Sequence, residues 1–463
     1  MNNKLKKTLI GIIAFLITFF ACYKTVFNFD QAIVVALIVL MAYWWIAKPV
    51  HIAVVAMLPV LVNAIFNIVP MGTVLGSYSS TVVVLLFGAN VLTLIWTLSG
   101  LDKRIALKSL AVLGTSVKGQ LVVWFVFATL LSTVISNAVV AATLSPIAIS
   151  MVKYCSDDNE HGNDSIKYWI LIAIAWGAGL GGFGTPLGGA MNLVAISSIE
   201  AFTGVEYMFI DWVKAMAPWL LLVMATGCVY FLSIKPDKKR LNGSKQYFKQ
   251  EYLKMSKISR SEILALGLFL FSIILAFSRP LYKDIFPQFG VAYGFLISAI
   301  LAFFIKGDDK KPLITWDYAA KNLNFGLMIL FAGGLAIGKL LVDSGAAIVI
   351  AELVTGIGFI GAIGLLAILA LIGMMLANTS SNTAACAVLI PVVISTAVGL
   401  NLDVMRFAHA TAVACNCAFI FPTSIRSIPV AHGLDSKFMF KKGFLINGMM
   451  LIVLVLAGSA YII

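Results

Sequence analysis

Two Ser-Asn pairs, Ser136-Asn137 and Ser381-Asn382, each lie in the middle of an otherwise apolar stretch, and the stretches around them are two writings of one pattern. Aligned on these pairs, Ala142 falls on Ala387, Leu144 on Leu389 and Pro146 on Pro391. Two further polar interruptions follow in the same order: Gly184-Thr185-Pro186 with Gly188-Gly189, and Pro422-Thr423-Ser424-Ile425-Arg426. Hydroxyls, carboxamides and backbone released from a helix are groups that hold ligands. A half-helix starting at such a break presents free N–H groups and about half a positive charge, which suits a carboxylate. Unwound carbonyls and hydroxyls suit a small hard cation such as sodium. Ser, Asn and Thr can also merely stitch helices together inside a bilayer. That explanation serves for a single pair; breaks repeated in the same order point to a binding site.

The elements that must position these groups are membrane spans. The chain is 61% hydrophobic and only 11% charged, more apolar surface than a soluble fold can cover, so it reads as an all-α polytopic membrane protein. A net charge of +13 would point to nucleic acid in a soluble protein, but here the basic residues fall in short loops where they set topology and meet anionic lipid; no nucleic-acid partner is expected. Apolar runs long enough to cross lie near 8–24, 30–47, 52–69, 81–99, 208–233, 260–279, 290–306, 324–343 and 443–463, with interrupted spans near 167–203 and 405–432. That makes about eleven crossings of a hydrocarbon layer about 30 Å thick. Lys4 to Lys7 before Leu9–Cys22 has the shape of a signal sequence without a small-residue cleavage pattern, and reads as a retained first span.

Loop charge tests the arrangement. With the N-terminus in the cytoplasm, that side receives Lys103, Arg104 and Lys108, then Lys235 to Arg240, Lys306 to Lys311, and Lys437, Lys441 and Lys442. The split holds only if each Ser-Asn stretch enters and leaves on one side. From Gly119 to Lys153, two arms of about 15 residues reach only about 22 Å each, so the pair is expected to be a re-entrant hairpin. The stretch near 360–399 would do the same from the opposite side. Non-helical backbone at that depth is tolerated only when buried in protein or lining a watery cavity. Each half then reads as spanning helix, short amphipathic segment, hairpin, broken helix and final helix. The copies are inverted, as in secondary transporters with a site at the repeat interface. The expected location is the plasma (inner) membrane, multi-pass, with the C-terminus outside.

These features resemble the divalent anion:sodium symporter family, the INDY-type dicarboxylate transporters. The resemblance rests on the two hairpin tips, on Gly-Thr-Pro-Leu-Gly-Gly-Ala-Met-Asn at 184–192 and on the Pro-Thr break at 422–423, and it covers essentially the whole chain. It implies two re-entrant hairpins among eleven spans, a homodimer, and an elevator movement of a transport domain against a scaffold. Scaffold helices would occupy 1–114 and 261–358, transport-domain elements 115–234 and 359–463, and a basic cytoplasmic linker 235–260. The implied substrates are C4 to C6 carboxylates, with C4/C5 dicarboxylates of the succinate, 2-oxoglutarate and malate class foremost. The expected substrate groups lie at the tips and breaks: Ser136, Asn137, Ala138, Thr185, Pro186, Ser381, Asn382, Thr383, Pro422 and Thr423, with Arg426 joining them as this chain's own departure from the family. A cation site, if present, would use Ser132, Ser136, Asn137 and Gly184, and no cofactor or other metal is expected.

The departures from that family carry the mechanism. Ala138 stands where a Thr is expected at the first tip. Five residues before each tip Asn, the first copy has Ser132 but the second has Ala377. The second break reads Pro-Thr-Ser-Ile-Arg, which puts Arg426 inside the membrane. An intramembrane Arg costs about 2.5 to 3.5 kcal/mol on insertion scales, unless it snorkels to the surface. The favoured expectation is that its guanidinium stands in for a second sodium ion or grips a substrate carboxylate. A fixed cation cannot be delivered by a gradient, so sodium-independent exchange is expected, with sodium-coupled symport through the first site as the alternative. An integral-membrane enzyme is remote: the chain has no His-Glu-x-x-His and no Gly-x-Ser-x-Gly, and no catalytic residue is assigned. His409 is expected to pack helices rather than relay protons, Cys415 and Cys417 to pack rather than ligate, and the acidic loop Asp157–Asp164 to be a solvated turn.

Overall fold

The computed structural model describes residues 3–111, 114–155, 163–237, 239–308, 310–356 and 361–462. Apart from isolated bridges between Ser116 and Arg240 and between Lys306 and Pro312, regular structure in these residues is helical. The first half comprises α1 (Asn3–Tyr23), α2 (Phe29–Ala47), α3 (Ile52–Val55), α4 (Leu58–Phe66), α5 (Met71–Tyr78), α6 (Thr81–Ser99) and α7 (Leu101–Leu110). It continues with α8 (Val117–Ser132), α9 (Asn137–Tyr154), α10 (Asn163–Gly181), α11 (Ala190–Thr203) and α12 (Phe209–Ser233), and α13 (Ser244–Lys254) lies in the linker. The second half comprises α14 (Arg260–Phe277), α15 (Arg279–Tyr282), α16 (Val291–Phe304), α17 (Trp316–Asn322), α18 (Phe325–Asp343) and α19 (Ala346–Gly356). There follow α20 (Gly361–Thr379), α21 (Asn382–Gly399), α22 (Val404–Asn416), a 3₁₀ turn at Ser424–Arg426, α23 (Ser427–Ala431) and α24 (Ser436–Ile462).

The repeat is present in the element order. The run α6, α7, α8–α9, α10–α11, α12 is matched by α18, α19, α20–α21, α22–α23, α24. Ten helices among the described residues are long and apolar enough to cross a membrane, and three of them, Asn137–Tyr154, Gly361–Thr379 and Asn382–Gly399, are hairpin arms. The arms run 16 and 18 residues in the first hairpin and 19 and 18 in the second, longer than the charge-bounded estimate, so arm length alone does not mark them as re-entrant. Their packing does the sorting: α10 packs against both α8 and α9, and α22 against both α20 and α21, so each broken helix runs alongside its own hairpin.

Close backbone approach holds the first of these assemblies. Gly177 and Gly181 lie one turn apart on α10, where a Cβ would come within 2.4 Å of the Phe125 carbonyl oxygen and 1.9 Å of that of Thr129. Small residues at this spacing let two helices touch where no hydrophobic effect drives them together. Elsewhere the boundaries differ from the apolar runs: 52–69 is split into α3 and α4, with Pro59 at the start of α4, and the last helix begins at Ser436. The linker is more than a polar strand, because α13 buries Tyr247 and Phe248 and packs against α7 and α9. The side chains of the acidic loop at 157–164 lie outside the described residues.

Candidate functional site

The two tips use their serines differently. Ser381 is in extended backbone and its hydroxyl accepts a hydrogen bond from Ala384 N at 3.1 Å, capping α21. Such a cap satisfies one of the N–H groups that a helix start leaves open. Ser136 precedes α9 with no side-chain capping bond, and Ser136, Asn137 and Ala138 are half-buried. Both tips put the Asn at the first turn of a half-helix, where the partial positive charge lies.

The first tip is pinned to the break between α10 and α11. Ser132 Oγ donates to Ala178 O at 2.8 Å and Thr185 Oγ1 donates to Thr133 O at 2.6 Å. Their hydroxyls thus join hairpin to break. Asn192 Nδ2 donates to Gly182 O at 2.7 Å and Thr185 O at 2.6 Å, closing the unwound loop, while its buried Oδ1 has no hydrogen-bond partner among the described residues. A Cβ at Gly188 would come within 2.5 Å of Ser132 O, so glycine is what lets the loop meet the tip. Pro186 is buried, Gly184 lies against Thr133, and a Cβ on Gly182 would lie 3.0 Å from Asn137 Nδ2. Of the residues expected at this half of the site, Asn137, Gly184 and Thr185 are therefore brought together at the junction of tip and break.

The second tip and break are joined through carboxamides. Asn378 Oδ1 accepts from Phe419 N at 3.0 Å and Ile420 N at 2.8 Å, its Nδ2 donates to Asn447 Oδ1 at 3.0 Å, and its carbonyl accepts from Thr423 Oγ1 at 3.0 Å. Asn382 Nδ2 donates to Asn416 Oδ1 at 3.2 Å. Pro422, Thr423 and Thr383 are half-buried beside these groups. Trp176 Nε1 donates to Phe419 O at 3.1 Å and ties this break to α10 of the other half.

Arg426 sits at the centre of the second break, completely buried, so the snorkelling alternative does not hold. Its Nε donates to Phe421 O at 3.3 Å; Nη2 donates to Ala377 O at 3.1 Å, Thr423 Oγ1 at 3.1 Å and Asn382 Oδ1 at 3.4 Å; Nη1 donates to Asn382 Oδ1 at 3.4 Å. All of these acceptors are neutral oxygens: two backbone carbonyls, a hydroxyl and a carboxamide. Oxygens of this kind are the ones a sodium site needs, and the guanidinium occupies them. A buried cation without a carboxylate partner is costly, and an incoming dianion relieves that cost. Nη1 also lies 3.7 Å from where a Cβ of Gly179 would be, so the charge faces the first half as well.

Asn378, Asn416 and Asn192 are the polar residues that the sequence reading left out of the site. The available signal was a carboxamide four residues before a tip Asn or next to a break. His409 is buried away from the tips, with Nε2 2.8 Å from the Tyr207 hydroxyl and Nδ1 3.1 Å from that of Tyr461. It ties three segments together, in keeping with helix packing. Cys386, Cys415 and Cys417 are buried free thiols.

With this geometry in place, comparison with known proteins is direct. The model of the citrate transporter family matches residues 42–414. The chain is similar to the sodium-dependent dicarboxylate transporter SdcS of Staphylococcus saprophyticus, at 25% identity over 97% of this chain and 89% of that protein. It is equally similar to SdcS of Staphylococcus aureus, at 25% identity over the same shares. Among solved structures it shares its fold with MtrF of Neisseria gonorrhoeae (TM-score 0.57, 13% identity, covering 95% of this chain and 96% of that one). It likewise shares the fold of the YdaH transporter of Alcanivorax borkumensis (TM-score 0.55, 11% identity, 84% and 87% covered). A polytopic helical chain whose broken helices meet two hairpin tips, and four-fifths of which fits the family model, belongs to the citrate transporter family and is a transporter of the divalent anion:sodium symporter type.

Proposed function

We propose that this transporter exchanges C4/C5 dicarboxylates, of the succinate, 2-oxoglutarate and malate class, without sodium coupling. The observation that carries the reading is the cage of neutral oxygens around the buried Arg426 guanidinium. Each Ser-Asn tip offers one carboxylate a half-helix N-terminus worth about half a charge, and Arg426 adds a full one, for a total near +2. A dicarboxylate at neutral pH brings two negative charges, so the loaded site is close to neutral and the empty site is not. Moving the empty site through a low-dielectric barrier is then much costlier than moving the loaded one, and net transport without a return substrate is suppressed. In a sodium symporter the compensating cation leaves with the substrate; here it is part of the chain.

The moving unit in this reading comprises residues 115–234 and 359–463, sliding against helices of 1–114 and 261–358, with the linker at 235–260 on the cytoplasmic face and a homodimer as the working form. A second reading, sodium-coupled symport, is favoured by a specific observation: the relatives at 25% identity are named sodium-dependent. The first half keeps the groups for one ion, with Ser132, Ser136, Asn137 and Gly184 at the tip and break, the Ser132 hydroxyl donating to Ala178 O. Ligand-induced stabilisation separates the two, because a ligand that binds only the folded state raises its melting temperature. Succinate should stabilise the purified protein in sodium-free buffer, and Arg426→Gln should lose that shift along with exchange. Stabilisation that appears only with sodium, or wild-type transport by the Gln variant, would overturn the exchange reading.

A further inference from the structure

A second buried arginine lies on the way to the first break. Arg279, at the start of α15, is 2% exposed and lies beside a cavity of about 380 Å³ that reaches from the loop at Pro287 and Gln288 down to Pro186 in the first break. The cavity thus leads from the face remote from the basic linker toward the first break. Two carbonyls fix the guanidinium: Nη1 donates to Phe286 O at 3.0 Å and Nη2 to Pro287 O at 2.9 Å. The Nε–Nη2 edge that remains is held by the carboxylate of Glu206, with both N–O distances at 2.8 Å. This is the fork geometry by which arginine recognises a free carboxylate. Glu206 belongs to the loop between α11 and α12 and its side chain is 38% exposed, so a solute in the cavity can reach it. Glu200, the other carboxylate lining the cavity, turns Oε1 to Tyr207 N at 2.8 Å and leaves Arg279 to Glu206.

We propose that Arg279 is a carboxylate-binding station at the mouth of the path, and that Glu206 is its resting occupant, displaced by one carboxylate of the arriving dicarboxylate. The inference rests on the dicarboxylate reading above. The substrate and Glu206 offer the same group to the same edge, so exchange between them conserves the hydrogen bonds of a buried cation, whereas opening the pair without a replacement would leave that cation bare. Tyr207, the next residue, binds His409 on α22, so release of Glu206 frees a loop anchored at its other end to the second broken helix.

Sided transport tests this. Labelled succinate exchange is measured from the Arg279 face in intact cells and from the opposite face in inside-out vesicles, for wild type, Glu206→Gln and Arg279→Lys. Glu206→Gln removes the competing charge and should lower KM several-fold from the Arg279 face alone. Arg279→Lys keeps the charge but loses the fork, and should raise KM from that face by about tenfold with the opposite-face KM unchanged. A KM unchanged in Glu206→Gln, or shifted equally from both faces, would make the pair a structural strut and overturn the proposal. Wild-type protein that moves no dicarboxylate from either face would remove the functional reading itself, and this station with it.

Discussion

At the scale of single residues, a few carboxamides do most of the joining. Asn378 satisfies the backbone N–H groups of Phe419 and Ile420, which the end of α22 leaves without helical partners. Asn378→Ala orphans both, each worth about 1 to 3 kcal/mol when buried, so a clear fall in melting temperature is expected even before transport is assayed. A melting temperature within a degree or so of wild type would mean that the break is held by other contacts. Asn382 is different, because its Oδ1 serves Arg426 and its Nδ2 serves Asn416. Asn382→Ala should therefore lose exchange by more than tenfold while Asn382→Asp, which adds a counter-charge beside the guanidinium, should keep the fold but lose substrate affinity; unchanged KM in the Asp variant would contradict the role given to the bare cation. The tips and breaks could be read from sequence because each is written in both halves. Asn378 and Asn192 were harder to read, although one runs into a tip and the other closes the 184–192 motif, since a carboxamide that holds backbone looks the same in sequence as one that meets a ligand.

At the scale of elements, two contacts set how the hairpins are held. The Gly177–Gly181 face of α10 allows α8 to approach backbone to backbone, and Gly181→Ala would place a methyl group 1.9 Å from Thr129 O. Overpacking of this kind costs about 1 to 3 kcal/mol or more, so that variant should give little folded protein on size-exclusion, whereas Gly204→Ala, at an exposed loop of left-handed backbone, should cost less. The other contact joins α7 to the first hairpin, where Thr143 Oγ1 donates to Asp102 Oδ2 at 2.7 Å. Burial pushes the Asp102 carboxyl above its usual range, against the opposing effect of that hydrogen bond. A raised folded value means that the group's contribution is fully present below the unfolded value of about 3.9 and is lost as pH rises through the folded one. Asp102→Asn keeps an acceptor for Thr143 without the charge, so its melting temperature relative to wild type should improve as pH rises above the unfolded carboxyl value of about 3.9. A gap independent of pH would remove this account of the contact. The helix α13 was hidden in the sequence by its polar composition; Tyr247 and Phe248, buried against the first half, and Ser244, bonded to Gln120 and Gly114, show that the linker docks.

At the scale of the whole molecule, the fold was legible because the chain is written twice, and inverted duplication leaves its mark in loop charge as well as in motifs. Arm length was a poorer guide, since helices that end beside a break can be nearly as long as those that cross. The proposed exchange mechanism rests on the asymmetry between the halves. The first retains a tip Ser without a capping bond and a carboxamide oxygen without a partner among the described residues, while the second spends its oxygens on Arg426. The first half thus keeps the features of an ion-accepting site and the second carries its own cation, which separates this chain's expected behaviour from that of its sodium-dependent relatives. The most direct measurement is labelled succinate uptake into proteoliposomes that contain either succinate or buffer alone, with and without an inward sodium gradient. The expected result is rapid uptake into succinate-loaded vesicles, independent of sodium, and almost none into empty ones; accumulation in empty vesicles driven by the sodium gradient would contradict it.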